Sequence, residues 1–245
     1  MPGKSGQQST GETEKSRKEL ITKEKLAILG RLTATIAHDV RNPLGTINTS
    51  MFSIKTAIEK NQPERIERAI KLAERNIKKC DQILAEFIDI TQQVEINTIP
   101  VNIDAWIRGF LEEETFPSSI ECVQDFNSNH AVSIDPDMLR RTLSNIIKNA
   151  IHAMRENKTA GRMTVQTSIE GDWLVICVSD NGTGIPDEIV TRIYEPFFTT
   201  KHLGIGLGLT FSREIVEKHG GTITVESKTD SGTKVTLKIP AAPLG

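Results

Sequence analysis

Apolar residues fall three or four positions apart early in the chain, at Leu29, Leu32, Ile36, Val40, Leu44, Ile47, Met51, Ile54 and Ile58. That period predicts an amphipathic helix beginning near Lys25, with one continuous apolar stripe. The turn-prone Glu59-Lys60-Asn61-Gln62-Pro63 interrupts it, and Pro63 suits the first turn of a new helix. A second stripe runs through Ile66, Ile70, Ala73, Ile77, Cys80, Leu84, Phe87, Thr91 and Val94. Its alternation of four and three is that of coiled-coil packing. Two helices of ~33 residues would each measure ~50 Å and enclose little between them. Burying both stripes calls for a four-helix bundle, hence a homodimer. The alternative is a hairpin packed only against its own C-terminal domain.

Past Pro100 the pattern changes. Residues 163–169 and 173–179 read as strands joined by the hairpin turn Glu170-Gly171-Asp172, and residues 222–227 and 234–239 read as a second pair around Asp230-Ser231-Gly232. Helical stretches span Asp135–Glu156 and Gly208–Lys218. This mixture predicts an α+β sandwich, an antiparallel or mixed sheet covered by helices on one face. The expected organisation is a polar flexible leader over 1–22, an antiparallel helical hairpin over 23–96, a linker over 97–101 and the sandwich over 102–245.

Composition narrows the function. Lys+Arg number 30 against 32 Asp+Glu, a formal net charge of −2, and aromatic residues make up 4%. Neither a coat for nucleic acid or an anionic membrane nor a base-stacking platform is expected. The three cysteines, Cys80, Cys122 and Cys177, fit no zinc spacing and no disulfide framework, which points to a reducing, cytoplasmic compartment. No segment reaches the ~18 consecutive apolar residues of a membrane span, so any tether is expected upstream.

The candidate chemistry lies in five runs. His38 sits two residues from both Ile36 and Val40, so it points off the apolar stripe, beside the carboxylate of Asp39. A surface imidazole near neutral pKa is a competent nucleophile. Pro43 deprives the Asp39 carbonyl of its helical partner and predicts a kink. Asn145 and Asn149 stand four apart on one helix, and neutral amide oxygens ligate Mg²⁺ beside phosphates without adding repulsion. Asp180-Asn181-Gly182-Thr183-Gly184 follows a strand; such an aspartate accepts from an exocyclic amine, and glycines admit a flat ring. Glu195 to Lys201, containing Phe197 and Phe198, leads into Gly204-Ile205-Gly206-Leu207-Gly208 at a helix start, where amides and dipole favour phosphate. This run neither follows a strand nor has the form of a P-loop, so a dinucleotide-binding fold is not expected.

Taken in order, the runs resemble the catalytic core of bacterial two-component sensor histidine kinases, from about Lys25 to Pro240. His38-Asp39-Val40-Arg41-Asn42-Pro43-Leu44 resembles the phospho-acceptor box, and Asn145 to Ala150 the asparagine box. Asp180 to Gly184, Pro196-Phe197-Phe198 and Gly204 to Leu209 resemble the first glycine, phenylalanine and second glycine boxes, and Gly232-Thr233 the last. The Glu195–Lys201 run is most similar to the subgroup of nitrogen- and oxygen-sensing kinases.

The resemblance implies a dimerisation and histidine-phosphotransfer hairpin, then an ATP-binding domain of the Bergerat type. It implies that His38 is phosphorylated with Asp39 orienting or deprotonating it. Asn149 would hold Mg²⁺ with Asn145 assisting. Asp180, with Thr233 nearby, would accept from the adenine amine, with Gly182 and Gly184 lining the base. Phe197, Lys201, Gly204, Gly206 and Gly208 would belong to the nucleotide site, the glycines meeting phosphate under a short lid. The implied partner is the receiver domain of a response regulator, docked on the hairpin below His38, and Asn42 would serve dephosphorylation of that partner. Two departures stand out: Asp39 is one methylene shorter than the glutamate of many relatives, and His152 and Ala153 replace a lysine and an aromatic. A nucleotide-binding scaffold without phosphotransfer is the alternative. An ATPase clamp fits less well, because it gives the His38 hairpin no place.

Overall fold

The computed structural model describes residues 37–91, 95–157, 160–200 and 206–241. The predicted leader, Leu29, Leu32, Ile36, Val94, Lys201 and Gly204 lie outside them. The chain divides into two compact units, Met1–Gln92 and Gln93–Gly245.

In the first unit, helix α1 (37–59 as described) turns through Asn61 in a left-handed conformation, φ 50°, into α2 (Pro63–Thr91). Pro43 does not end α1, and its ring is buried. The single stripe expected on each helix resolves into two adjacent ones. On α1, Pro43, Ser50 and Ala57 are buried; on α2, Ala69, Ala73, Cys80 and Ile83 are. Beside this seam lies a second row that the hairpin leaves open: Leu44, Met51 and Ile58 on α1, and Ile70, Ile77 and Leu84 on α2, each 42–61% exposed. On each helix the open row steps by seven residues, the heptad spacing that keeps a seam on one side of a helix.

In the second unit, β1 (Ile99–Asn102), α3 (Ile103–Glu113), β2 (Ile120–Phe126) and β3 (Ala131–Ile134) precede α4 (Pro136–Glu156). There follow β4 (Gly161–Glu170), β5 (Trp173–Asp180), the single turn α5 (Asp187–Val190), α6 (Gly208–Lys218), β6 (Thr222–Lys228) and β7 (Gly232–Pro240). The expected linker over 97–101 is therefore corrected in part: Ile99–Asn102 pairs antiparallel with β3, Val101 opposite Val132. Pro100 is tolerated because a two-stranded sheet has only edges, where a missing amide leaves no ladder bond unmade. Asn102 then caps α3, its side chain accepting from the Ala105 amide at 3.0 Å.

The main sheet is mixed, in the order β2-β4-β5-β7-β6, with β2–β4 parallel and the other pairs antiparallel. Its register sets up cross-strand rows on one face: Val165, Val178, Val235 and Val225, then Thr167, Ile176, Leu237 and Ile223. These rows join Leu139, Leu143, Ile146 and Ile147 of α4 in one core with Ile103, Ile107 and Phe110 of α3. The other face carries Thr164, Ser179, Lys234 and Glu226 in register, so helices are needed on one side only.

Asp104 locks α3 to the sheet. Its carboxylate accepts from the Ser128 and Thr167 hydroxyls and from the Asn129 amide. Burial pushes its pKa up, but these bonds outweigh that and hold it below the ordinary carboxylate value.

Candidate functional site

On α1, His38 is strongly exposed, with 70% of its side chain open to solvent, as expected from its place off the stripe. Its Nδ1 lies 3.2 Å from Asp39 Oδ1. A carboxylate on Nδ1 favours the tautomer with hydrogen there, which leaves the lone pair on Nε2. Asn42, Gly45 and Thr49 follow at four, seven and eleven residues, one helical face under the imidazole. Asn42 is exposed, and its backbone carbonyl accepts from Thr46 Oγ1 at 3.2 Å.

The other candidate residues that are described gather in the second unit around α4. Pro136 begins that helix and Asp135 caps it, accepting from the Asp137 and Met138 amides. One of its faces carries Asn145, Asn149 and Ala153. Asn145 Nδ2 donates to Ser212 Oγ of α6 at 3.0 Å, and Ser212 Oγ donates to the Gly208 carbonyl at 2.8 Å. A Cβ on Gly208 would stand 2.2 Å from Asn145 Oδ1, so only glycine lets α6 approach this closely. At the other end of the face a Cβ on Gly182 would stand 2.6 Å from Ala153 Cβ. From residue 145 to residue 153 the helix rises about 12 Å. The asparagine face thus spans the two glycine runs, with Asn149 between them.

Asp180 has the strand parity of Leu174, Ile176 and Val178, so it points to the helix-covered face at the end of the sheet. There the apolar rows give way to Asp180, Thr233 and Ser227 in register. Burial pushes the Asp180 pKa up, partly countered by the Gly182 and Thr233 amides; the Gly182 N–H bond to Oδ1 measures 2.8 Å. Ser227 accepts from the Ile185 amide, donates to the Gly232 carbonyl and lies 2.9 Å from Thr233 Oγ1. Gly184, with φ +68°, fits here because a Cβ would meet the Lys228 carbonyl. Phe197, itself at φ 70°, donates its amide to the Gly206 carbonyl at 3.0 Å, so the phenylalanine run abuts the second glycine run. Arg192 lies over the Phe198 ring at 4.4 Å. The α6 N-cap is Leu207, whose side chain makes no cap hydrogen bond to the first-turn amides.

Ser212 and Ser227 are bonded to candidate site residues, and the sequence reading did not name them. For Ser212 the signal is its place four residues after Gly208; for Ser227 it is its place opposite Thr233 in the hairpin. As to a metal, the described residues hold no cluster of three or more His, Cys, Asp or Glu. The residues nominated from the sequence, Asn145 and Asn149, offer amide oxygens, which would suit an ion held mainly by substrate phosphates.

An exposed histidine on a helical hairpin and a mixed-sheet domain with this cradle define a phospho-acceptor module joined to an ATP-binding module. Residues 28–94 match the His Kinase A (phospho-acceptor) domain, and residues 134–243 match the histidine kinase-, DNA gyrase B- and HSP90-like ATPase domain. The chain belongs to the sensor histidine kinases, as their catalytic core.

Sensor histidine kinase ZraS of Salmonella typhi is 32% identical over 238 residues, 93% of this chain and 50% of the relative. Sensor protein FixL of Bradyrhizobium diazoefficiens is 26% identical over 249 residues, 96% and 48% respectively. The chain therefore spans about half the length of the curated relatives it matches. Histidine kinase ThkA, solved with response regulator protein TrrA, superposes with TM-score 0.77 at 27% identity, covering 94% of this chain and 66% of that one. Full-length ShkA, solved with AMPPNP, gives 0.61 at 25%, covering 86% and 46%.

Proposed function

We propose that the chain transfers the γ-phosphoryl group of ATP to His38 and then to an aspartate of a response-regulator receiver domain. The observation that carries this reading is the exposed imidazole with Asp39 on its Nδ1, encoded ahead of a Bergerat-type nucleotide cradle. His38 Nε2 attacks the γ-phosphorus in line, the bond to the β–γ bridging oxygen breaks, and ADP leaves. Asp39 holds the Nδ1 proton and offsets the positive charge that the ring develops. Asp180 accepts from the adenine amine, with Thr233 beside it. The amides of Gly206 and Gly208, before and at the start of α6, and Lys201 and Gly204 ahead of them in the sequence, meet the phosphates. Catalysis is then positioning and charge stabilisation. A magnesium ion held by Asn149 and the phosphates would neutralise charge on the leaving diphosphate; Asn145 is committed on its nitrogen side to Ser212.

ThkA was solved with a response regulator, and this supports the same class of partner here. A groove of about 600 Å³, lined by Thr49, Ser50, Ser53, Arg65, Arg68 and Leu72, lies three turns along the face under His38 and suits a receiver. Asn42, on that face, positions water for hydrolysis of the receiver's phosphoaspartate. The working form is a homodimer through the open heptad rows. Among the described residues no helix is long and apolar enough to cross a membrane. Free Cys80, Cys122 and Cys177 accord with work in the cytoplasm.

The test is incubation with γ-labelled ATP. An acid-labile, alkali-stable label that disappears in His38→Ala is expected. Label retained in that variant ends the assignment, and ATP binding without label leaves a nucleotide-binding scaffold.

A further inference from the structure

We infer that the segment entering the ATP-binding domain, through Ile96, Asp135 and His219, positions the phosphate-binding end of α6. The inference rests on the reading that phosphate meets the N-terminus of that helix. The first unit ends at Gln92, and Ile96 and Asn97 are among the first described residues beyond it. Ile96 packs against the cluster of Phe211 and Ile215 in α6, as Met138 of α4 does. The next amide, of Asn97, donates to Asp135 Oδ2 at 2.9 Å.

Asp135 is nearly buried, and each of its polar groups is used. Oδ1 caps α4, Oδ2 takes the entering segment, and its own amide donates to His219 Nε2 at 2.9 Å. His219 is 2% exposed and forms the C-cap of α6. Its Nδ1 lies 2.8 Å from the Ile215 carbonyl, which only accepts, so Nδ1 carries the hydrogen and Nε2 the lone pair. Nδ1 is tied within α6, and Nε2 joins the end of that helix to the start of α4. A surface C-cap would need no such fitting.

Helix α6 is thus braced twice. At its C-terminal half stand Ile96 and the Asp135–His219 pair; at its first turn stands the Asn145–Ser212–Gly208 chain. Eleven residues at 1.5 Å make α6 about 16 Å long, with Gly208 at one end, the His219 cap at the other, and Ile96 against the Phe211–Ile215 cluster between them. Displacement of the entering segment therefore reaches the phosphate end through α6 itself, from the His219 cap and from the Phe211–Ile215 cluster that Ile96 covers. By linkage, nucleotide at one end of α6 tightens the other. Ile96 and His219 are positioning residues, since neither touches nucleotide.

The experiment is hydrogen exchange on the full chain with and without a non-hydrolysable ATP analogue and magnesium, together with autophosphorylation kinetics. In the unaltered protein the analogue is expected to slow exchange at 206–211 and also at 95–98. Ile96→Ala is expected to speed exchange at 206–211 without analogue and to raise the KM for ATP about fivefold, the low end of ordinary coupling. Its kcat stays within about twofold, and Ile96→Leu restores the KM. If the analogue protects 206–211 but leaves 95–98 unchanged, the coupling is refuted even where the alanine variant folds poorly. An unchanged KM in a folded Ile96→Ala protein refutes it as well. No protection at 206–211 in the unaltered protein removes the nucleotide reading itself, and this inference with it.

Discussion

Asn145 and Gly208 meet so closely that a single methyl group would not fit between them: a Cβ on Gly208 would stand 2.2 Å from Asn145 Oδ1 and 2.6 Å from its Cγ. The contact fixes the first turn of α6 against the asparagine face of α4. Gly208→Ala must push the two apart, because the neighbour is a side chain already tied to Ser212. The residue has no left-handed backbone to strain, so the fold should survive. The expected result is an ATP affinity reduced at least about tenfold, equivalent to ~1.4 kcal/mol, with a melting temperature close to that of the unaltered protein. Nucleotide titration and thermal melting on the same preparation decide it; unchanged affinity would remove this contact from the site.

Asp180 is where stability and recognition oppose each other. Burial raises its pKa, so holding it ionised at neutral pH costs folded stability, despite the Gly182 and Thr233 amides. The sign follows from linkage: a carboxyl with a raised folded pKa favours the folded state below its unfolded pKa, and that contribution is lost as pH rises through the folded value. Asp180→Asn removes the charge, keeps an acceptor for the Gly182 amide, and should melt at the same or a higher temperature at pH 7. An amide is a weaker acceptor for the adenine amine than a carboxylate, and ATP affinity is expected to fall at least about tenfold. In the unaltered protein ATP binding should weaken on acidification at a pH above the ordinary aspartate value of 3.8. A variant that melts lower yet binds ATP normally would reverse both roles.

The parts of this molecule that the sequence displays are those with local causes. Helix α4 shows its cap, its proline and its period within one window, from Asp135 to Glu156, and α6 spans the predicted Gly208–Lys218. The two hairpins carry their turn residues. What stays hidden is set by distant pairing. Strand β2 lies parallel to β4, so its partner is forty residues away and no turn marks the pair. Strand β1 contains Pro100, which reads as a break until an edge partner is present. Ser227 is one polar residue in an alternating strand, and only its register opposite Thr233 gives it work. The double stripe of the hairpin is hidden for another reason. Every three-or-four spacing is satisfied by one broad apolar face, and burial alone shows which part faces the partner helix.

Asn42 lies one turn after His38 on the same exposed face. An amide can orient a water but cannot carry the phosphoryl group, so the proposed role separates the two activities. Asn42→Ala should slow dephosphorylation of the phosphorylated receiver about tenfold or more while autophosphorylation stays within about twofold. The two rates, measured separately on purified partners, separate the roles. Equal loss of both would assign Asn42 to the shape of the helix instead.

Leu44, Met51 and Ile58 on α1 and Ile70, Ile77 and Leu84 on α2 are 42–61% exposed in one protomer, although nothing in the hairpin requires apolar side chains there. Covering each in a second hairpin is worth up to roughly 1.5 kcal/mol, about half the full-burial value for such side chains. A charged residue at the middle of each row leaves the seam of Ala69, Ala73, Cys80 and Ile83 intact, since that seam lies on an adjacent face. The Met51→Glu, Ile77→Glu double variant should therefore keep its helical circular dichroism and sediment at the protomer mass, where the unaltered chain sediments at twice that mass. ATP affinity, a property of the second unit, should not change. A double variant that still sediments as a dimer would place the subunit interface elsewhere.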